Sequence, residues 1–266
     1  MKVDYIVVGL GLAGLAFIEE LIEAKKTFIV FEDDSQTSSL VAGGVYNPVI
    51  LKRFTPVWNA DKQLEIALPF YERIEKKLHE KVDVKFNTRK VFKSIEDQNN
   101  WFEASDKPLL SKFMNADIIN EKIEGVIADF GFGEVQKTGR IDTEKLVTSY
   151  RNYLANESKI IFEKFKYNAV QLINNTCVYK NIESSRIVFC EGFGIKQNPF
   201  FNNLPLKEAK GELLTIHAPE LEIDFLLKST LFVLPLGNHL YKVGATFNWS
   251  DKTLNPSEEG KQELVE

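Results

Sequence analysis

The chain has 266 residues, of which 44% are hydrophobic and 27% charged, a balance typical of folded globular proteins rather than disordered ones. Its formal net charge of -5 argues against a nucleic acid as the main partner, because non-specific nucleic-acid binding depends on clustered Lys and Arg side chains. We therefore expect a small-molecule ligand and no nucleic-acid partner.

Cysteine and histidine usage indicates neither a disulfide framework nor a metal site. Cys177 and Cys190 lack the paired spacing of a zinc site, and His79, His217 and His239 are too widely separated to suggest a ligand cluster. No apolar run reaches the roughly 18 residues of a membrane span, and the apolar N-terminal stretch has no basic region before it. We expect a cytoplasmic protein without a membrane span, and the sequence does not indicate an oligomeric state.

The first thirty-odd residues predict one parallel strand–helix–strand unit. Residues 2–8 form an apolar, β-branched run typical of a strand buried on both faces. Apolar residues then recur at helical spacing over 12–26, and a second apolar run over 27–31 ends in Glu32. This order predicts a right-handed βαβ unit.

The remaining chain predicts a Rossmann-like parallel sheet with flanking helices, interrupted by an antiparallel or mixed domain. We expect the first domain at residues 1–80 and 135–200 and the second, a substrate domain, at 81–134 and 201–266. After a small-residue loop at 38–48, helices are predicted over 60–77, 142–156 and from 256 onward. Strands are predicted over 82–86, 90–95, 126–130, 160–165, 186–190, 212–217, 231–235 and 240–244.

A G-x-G-x-x-G motif follows the first predicted strand. Gly9 permits the tight turn, Gly11 lets the backbone approach a pyrophosphate, and Gly14 lets the helix pack closely on the sheet. Glu32 lies 18 residues after Gly14, where a carboxylate accepts hydrogen bonds from the ribose hydroxyls. Glycines also cap helices, but the order of strand, helix, strand and acid favours a dinucleotide, and the acid disfavours NADP.

A second small-residue stretch favours FAD over NAD. Ala42, Gly43 and Gly44 expose backbone N–H groups that suit a distant phosphate and a flavin ring. The alternative interpretation of this stretch is a flexible loop.

An ordered series of motifs resembles the D-amino-acid oxidase superfamily of FAD-dependent oxidoreductases, in its glycine oxidase and sarcosine oxidase branch. The motifs are VDYIVVGLGLAGLAF, VFED, SLVAGGVYNP, KIIFEKF, IVFCEGFG, KGELLTI and FVLPLGNHLYKVGATFNW. The first occurs in many Rossmann flavoproteins, whereas KGELL followed by VLP and VGAT is more specific. The resemblance implies an FAD cofactor, hydride transfer from an amine-bearing carbon to flavin N5, and reoxidation by oxygen.

The resemblance also assigns cofactor contacts residue by residue. It implies that the pyrophosphate turn consists of Gly9, Gly11 and Gly14 and that the acid at the adenosine ribose is Glu32. The loop around the flavin phosphate and ring edge would contain Ser39, Ala42, Gly43 and Gly44. Lys166 would contact adenine through its backbone, and Gly192 would let the chain pass close to the cofactor.

Two departures from the family pattern bear on the substrate. Phe232 stands where glycine oxidases often have a tyrosine, so a hydroxyl for a substrate group is lacking and glycine itself is in doubt. The sequence also stops at Glu266, before the last glycine-rich loop and the substrate-binding arginine expected of the family. We therefore expect a truncated, proteolysed or degenerate member that binds FAD weakly or not at all.

Arg53 is the one candidate for a catalytic contact. With Lys52 it follows the predicted flavin loop, where it can meet an anionic substrate or the flavin N1 region; the alternative is a solvated basic pair.

The leading hypothesis is an FAD-dependent oxidoreductase of primary or secondary amines, with an amino acid as the substrate class. The alternatives are the flavin module of a tRNA-wobble-uridine modification enzyme, which the acidic charge disfavours, and a non-catalytic nucleotide-binding protein or fragment.

Overall fold

The protein, described here from a computed structural model that covers all 266 residues, divides into two compact units. The first unit contains residues 1–42, 76–80 and 142–207, and the second contains residues 43–75, 81–141 and 208–266.

Six α-helices and fifteen strands make up the two units. The helices are α1 (Leu12–Glu23), α2 (Ser38–Val41), α3 (Ala60–Leu78), α4 (Ile95–Ser105), α5 (Thr143–Asn156) and α6 (Glu258–Val265). The strands are β1 (Lys2–Val8), β2 (Phe28–Glu32), β3 (Val45–Tyr46), β4 (Val49–Ile50), β5 (Thr55–Pro56), β6 (Asp83–Val91), β7 (Phe132–Ile141), β8 (Ile160–Phe162), β9 (Val170–Ile173), β10 (Thr176–Tyr179), β11 (Ile182–Phe189), β12 (Leu213–His217), β13 (Leu226–Lys228), β14 (Phe232–Gly237) and β15 (Leu240–Gly244). None of the helices combines the length and apolarity that crossing a membrane requires.

The first unit is built on a six-stranded sheet in the order β8-β2-β1-β11-β10-β9. The four strands from β8 to β11 are parallel, and β10 and β9 extend the sheet in antiparallel fashion. Every residue of β2 is buried, which fits the continuous apolar run of that strand. The predicted parallel sheet with flanking helices is confirmed.

The antiparallel extension was not predicted. The β9–β10 hairpin turns through Asn174 and Asn175, whose φ angles are 50° and 61°. Two consecutive left-handed residues are the geometry of a type I′ turn, which asparagine tolerates better than most residues.

The second unit is built on a seven-stranded mixed sheet in the order β12-β15-β14-β13-β6-β7-β3. Its neighbouring strands are antiparallel except for β13 and β6, which are parallel. Trp101 of α4 is fully buried in one of the unit's cores, where its Nε1 donates a hydrogen bond to the carbonyl oxygen of Asn115 at 2.7 Å. The predicted α/β fold with a mixed second domain is confirmed.

The division between units differs from the predicted domain boundaries. Residues 43–75 lie with the second unit, because β3 pairs with β7 and Leu64 of α3 packs on the core around Trp101. The predicted boundary at residue 135 would cut through β7, which pairs with β6 along most of its length. Residues 201–207 lie with the first unit.

Two predicted strands were wrong. Residues 126–130 form no strand: residues 129–130 lie in a turn, and the stretch is bounded by Gly125 and Gly131, whose φ angles of +75° and +72° interrupt an extended run. Residues 90–95 do not form a strand of their own: β6 ends at Val91, and Ser94 caps α4 by accepting a hydrogen bond from the Asp97 amide at 3.2 Å.

Candidate functional site

Gly9 and Gly11 lie between β1 and α1, at the carboxyl end of the parallel strands, and Gly14 lies in the first turn of α1. Gly9 has a φ of +92°, and a Cβ there would lie 2.6 Å from the carbonyl oxygen of Cys190. A Cβ on Gly14 would lie 2.3 Å from the carbonyl oxygen of Gly9. The turn is therefore packed so closely at both positions that only glycine fits.

The N-terminus of α1 offers several backbone donors. The amides of Gly11, Ala13 and Gly14 donate no hydrogen bond within the chain, and the first turn of the helix has no acidic residue. The Leu12 amide donates to Ser39 Oγ at 3.3 Å. Free amides and the positive end of the helix dipole together form a site suited to an anion such as a phosphate.

Glu32 points at this turn from the end of β2 and is 5% exposed. Its Oε2 accepts a hydrogen bond from the Leu10 amide at 2.5 Å, and its Oε1 accepts one from the Asp34 amide at 2.9 Å. The predicted proximity of the acid to the glycine turn is therefore present in the structure.

Arg151 of α5 is a residue of this site that the sequence did not reveal. Its Nη2 lies 3.1 Å from Glu32 Oε1, its Nη1 lies 2.5 Å from Asp34 Oδ1, and its side chain is 13% exposed. A carboxylate has about four acceptor positions, so these contacts leave Oε2 of Glu32 able to accept one more hydrogen bond.

The sequence that follows β2 places Ser39 and Ala42 near the start of α1 and α5. Ser39 lies in α2, and the Ala42 carbonyl accepts a hydrogen bond from Thr143 Oγ1 at 3.3 Å. A Cβ on Gly11 would lie 2.9 Å from Ser39 Oγ, so the hydroxyl covers the side of the turn at that point.

Of the two glycines that open the second unit, Gly43 lies beside β14 and Gly44 beside the end of β7. A Cβ on Gly43 would lie 3.5 Å from Leu234 and 3.7 Å from Phe232. Gly44 has a φ of +66°, and its carbonyl accepts a hydrogen bond from the Ile141 amide at 2.9 Å. Gly44 therefore has a backbone reason to be glycine, whereas Gly43 has only ordinary van der Waals neighbours.

A family model described as DAO, FAD dependent oxidoreductase, matches residues 4–266 of this chain. The chain belongs to this FAD-dependent oxidoreductase family.

Solved structures share the fold of this DAO-family chain at low sequence identity. Glycine oxidase from Geobacillus kaustophilus is 15% identical, with a TM-score of 0.73 over 99% of this chain and 76% of that chain. Iminodiacetate oxidase from Chelativorans sp. BNC1 is 13% identical, with a TM-score of 0.75 over 98% and 77%. L-alpha-glycerophosphate oxidase from Mycoplasma pneumoniae, solved with FAD bound, is 15% identical, with a TM-score of 0.72 over 100% and 77%.

Lys166, which the family resemblance assigns to an adenine contact, is held by aromatic residues of the first unit. Its amide donates to the hydroxyl of Tyr179 at 3.0 Å, and its carbonyl accepts from the Ala169 amide at 3.0 Å. Tyr179 is fully buried and stacks on Phe165 with a centroid distance of 4.2 Å. The carbonyl oxygen of Lys166 keeps a second lone pair for a ligand.

Gly192 of this DAO-family chain lies just beyond the end of β11. Its φ is +53° and a Cβ there would meet no atom within 4 Å, so the backbone conformation, not crowding within the chain, favours glycine. The neighbouring Glu191 accepts hydrogen bonds from the Tyr167 hydroxyl at 2.5 Å and from Asn198 Nδ2 at 2.7 Å. Burial, followed by donation to Glu191, raises the pKa of Tyr167.

Cys190 contributes backbone to the glycine turn, since its amide donates to Val8 and its carbonyl lies against Gly9. Burial, and then the nearby Glu191 carboxylate, raises the pKa of its thiol above the ordinary value of 9.0. The thiol is therefore protonated at neutral pH and is a poor nucleophile.

Arg53 lines a cavity of about 600 Å³ that lies wholly within the second unit. Its side chain is exposed and shares this cavity with Lys52, so the predicted basic pair adjoins a concave surface. No group of three or more His, Cys, Asp or Glu side chains is arranged to hold a metal ion.

Proposed function

We propose that this DAO-family chain binds FAD and oxidises a primary or secondary amine, with an amino acid as the substrate class. The observation that carries the proposal is the set of three unpaired amides at the start of α1, beside a buried Glu32 that retains one acceptor position. Reoxidation by molecular oxygen is part of the proposal.

The residues of the first unit fit the adenosine half of FAD. The Gly11, Ala13 and Gly14 amides would receive the pyrophosphate, and Oε2 of Glu32 would accept a ribose hydroxyl. The carbonyl of Lys166 and the open space beside Gly192 are the proposed surroundings of the remaining cofactor atoms in this unit. Ser39, Ala42, Gly43 and Gly44 are the proposed flavin-side contacts.

Bound FAD would supply the hydride acceptor, so the protein does not need a nucleophile or a metal ion for the chemical step. The chain's own residues would position the cofactor and shape the surface that the substrate meets. The buried pair of Glu32 and Arg151 fixes the strand end that faces the turn, and the Phe232 ring gives a face without a hydroxyl beside Gly43. The chain would therefore hold an amine substrate by charge and shape, not by a tyrosine at position 232.

The names of two similar structures, glycine oxidase and iminodiacetate oxidase, support an amine as substrate. The third similar structure is named a glycerophosphate oxidase, and glycerophosphate is not an amine. For this reason the substrate panel must include both amines and hydroxyl compounds.

Titration of the chain with FAD, followed by flavin fluorescence and absorbance, tests the cofactor. The Gly11→Ala variant should bind FAD at least about tenfold more weakly, because its Cβ occupies the approach of the pyrophosphate. The Cβ also meets Ser39 Oγ, so the Gly11→Ala/Ser39→Ala double variant is compared with Ser39→Ala alone. Equal FAD affinity in these two proteins would contradict the proposed role of the turn.

Anaerobic bleaching of the flavin by amines, N-methyl amines, amino acids and 2-hydroxy acids tests the reaction. We expect bleaching by a member of the amine classes, followed by peroxide release when oxygen is admitted. Bound, dithionite-reducible flavin that none of the amines bleaches would contradict amine oxidation and favour a non-catalytic binding protein.

A further inference from the structure

The cavity that contains Arg53 is unusually cationic for a chain of net charge -5. Its charged lining consists of six basic side chains and two acidic ones: Lys52, Arg53, Lys90, Lys93, Lys107 and Lys228 against Asp97 and Glu103. Ser229, Thr230 and Asn100 add neutral hydrogen-bonding groups.

Two of the lysines are placed side by side on the sheet. Lys90 of β6 and Lys228 of β13 are paired residues of neighbouring parallel strands, so their side chains project from the same face. Lys90 is 7% exposed and Lys228 is partly buried. Like charges in this arrangement repel each other, and burial adds a desolvation cost.

No carboxylate forms an ion pair with Lys90, Lys228 or the exposed Lys93. Lys90 Nζ donates to the Val91 carbonyl at 2.6 Å, Lys228 Nζ donates to the Thr230 carbonyl at 2.7 Å, and Lys93 Nζ donates to Thr230 Oγ1 at 3.0 Å. Burial and the neighbouring lysines lower the pKa of Lys228; burial, then Lys93, lowers that of Lys90, although Asp97 acts in the opposite direction.

The two acids of the lining are already engaged. Asp97 Oδ2 accepts a hydrogen bond from the Lys93 amide at 3.0 Å, and Glu103 lies 3.3 Å from Lys107 on the exposed side of α4. With only Asp97 and Glu103 against six basic side chains, the lining keeps a net positive charge.

We propose that this cavity binds a small ligand that carries at least two negative charges, either as several carboxylates or as a phosphate group. One buried and one partly buried ammonium group side by side, with Lys93 nearby, exceed what one carboxylate can neutralise. The exposed Lys52 and Arg53 add positive charge that attracts an anion to the cavity. A cavity of about 600 Å³ accommodates a small molecule.

The position of the cavity connects this anion to the proposed reaction. Lys228 pairs with Phe232 across the β13–β14 ladder, so both project from one sheet face, and the Phe232 ring lies beside Gly43. Assigning the polyanion as part of the substrate rests on the proposed oxidoreductase function, whereas binding of the anion does not.

Calorimetric titration of the chain without FAD tests the site, with acetate, citrate and inorganic phosphate as probes at constant ionic strength. We expect citrate or phosphate to bind at least about tenfold more tightly than acetate. The stronger of the two identifies the charged group as polycarboxylate or phosphate. Equal binding of acetate and the polyanions would overturn the proposal.

Substitutions locate the bound anion. Lys90→Met and Lys228→Met should each weaken binding of the polyanion at least about tenfold. As a control, Lys122→Met changes an exposed lysine of the same unit outside the cavity and should leave the affinity unchanged. Gly11→Ala should also leave it unchanged. Loss of binding in Gly11→Ala with retention in both lysine variants would place the anion at the glycine turn and overturn the proposal, even if amine oxidation were demonstrated.

A thermal melt separates a binding lysine from a structural one. Lys90→Met should melt at or above the temperature of the unsubstituted chain without anion, and should lose the increase in melting temperature that citrate or phosphate gives. A lower melting temperature without anion, together with an unchanged anion-induced increase, would show that Lys90 serves folding and would contradict its binding role.

Discussion

The glycine turn of the first unit and the cationic cavity of the second are two different ways of receiving negative charge. The turn uses the neutral backbone amides of Gly11, Ala13 and Gly14, which one strand–helix junction holds close together. The cavity uses full side-chain charges from separate segments, including Arg53, Lys90 and Lys228. The first arrangement is fixed by the fold at no electrostatic cost, whereas the second has buried charge in the ligand-free chain.

This contrast predicts opposite responses to substitution. Changes at the turn should reduce both stability and ligand binding, because the same close packing serves both. Changes at the buried lysines should reduce binding while stability is kept or increased.

Gly14→Ala should have the largest effect on stability. Its Cβ would lie 2.3 Å from the Gly9 carbonyl oxygen, which is backbone and cannot move without opening the turn. We expect the free energy of unfolding to fall by about 3 kcal/mol in chemical denaturation, as for other overpacked sites. Ala13→Ser, at the exposed neighbouring position, should change it by less than about 0.5 kcal/mol. Similar stability of the two variants would show that the turn is not tightly packed.

Arg151→Met should lower the free energy of unfolding by about 2 kcal/mol, because it leaves the buried Glu32 carboxylate without its cationic partner. Glu32 keeps its two backbone donors, which limits the loss. Arg151→Lys should restore part of the stability but not the simultaneous contacts with Glu32 and Asp34. Denaturation curves of the three proteins provide the measurement, and an unchanged Arg151→Met curve would contradict the structural role of the pair.

Lys90→Met should raise the free energy of unfolding by about 1.5 kcal/mol at neutral pH, since it removes a desolvated charge. Burial, then repulsion by Lys93, holds the pKa of Lys90 below its ordinary 10.5, although Asp97 raises it in part. Between these two values the unfolded chain binds more protons, so the unsubstituted chain gains stability as pH rises toward 10.5. The advantage of the variant should therefore shrink with pH, and an advantage that grows would contradict this account.

Gly192→Ala should have the smallest effect on folding, about 1 kcal/mol, because only the left-handed backbone conformation opposes a side chain there. Gly125→Ala is the matched control in the second unit, with φ of +75° and the same open surroundings. The two variants should lose similar stability, but only Gly192→Ala should weaken the binding of FAD. Equal FAD affinity in both variants would contradict the proposed position of Gly192 beside the cofactor.

The same contrast explains how much the sequence could predict. The strand, turn, helix and acid of residues 2–32 are contiguous, so their spacing alone predicted that Glu32 would face the turn. Arg151 lies far along the chain and has no local signature, because its helix pattern is that of any amphipathic helix. Its pairing with Glu32 depends on how α5 packs in the first unit.

Short elements and tertiary pairings account for the wrong predictions. The pattern Ser94-Ile95-Glu96-Asp97 contains a helix cap that an alternating apolar pattern concealed. β13 has only three residues, too few for a periodicity. The cationic cavity could not be predicted beyond Lys52 and Arg53, because Lys90 and Lys228 become neighbours only through strand pairing.

Competition between FAD and its two halves tests whether the glycine turn and Glu32 bind the adenylate end of the cofactor. If the first unit binds the adenylate end through the Gly9–Gly14 turn and Glu32, ADP should displace FAD from the chain. The Glu32→Gln variant should then bind both ADP and FAD more weakly. FMN should compete poorly, since it lacks the adenosine half. Displacement of FAD by FMN but not by ADP would contradict the account.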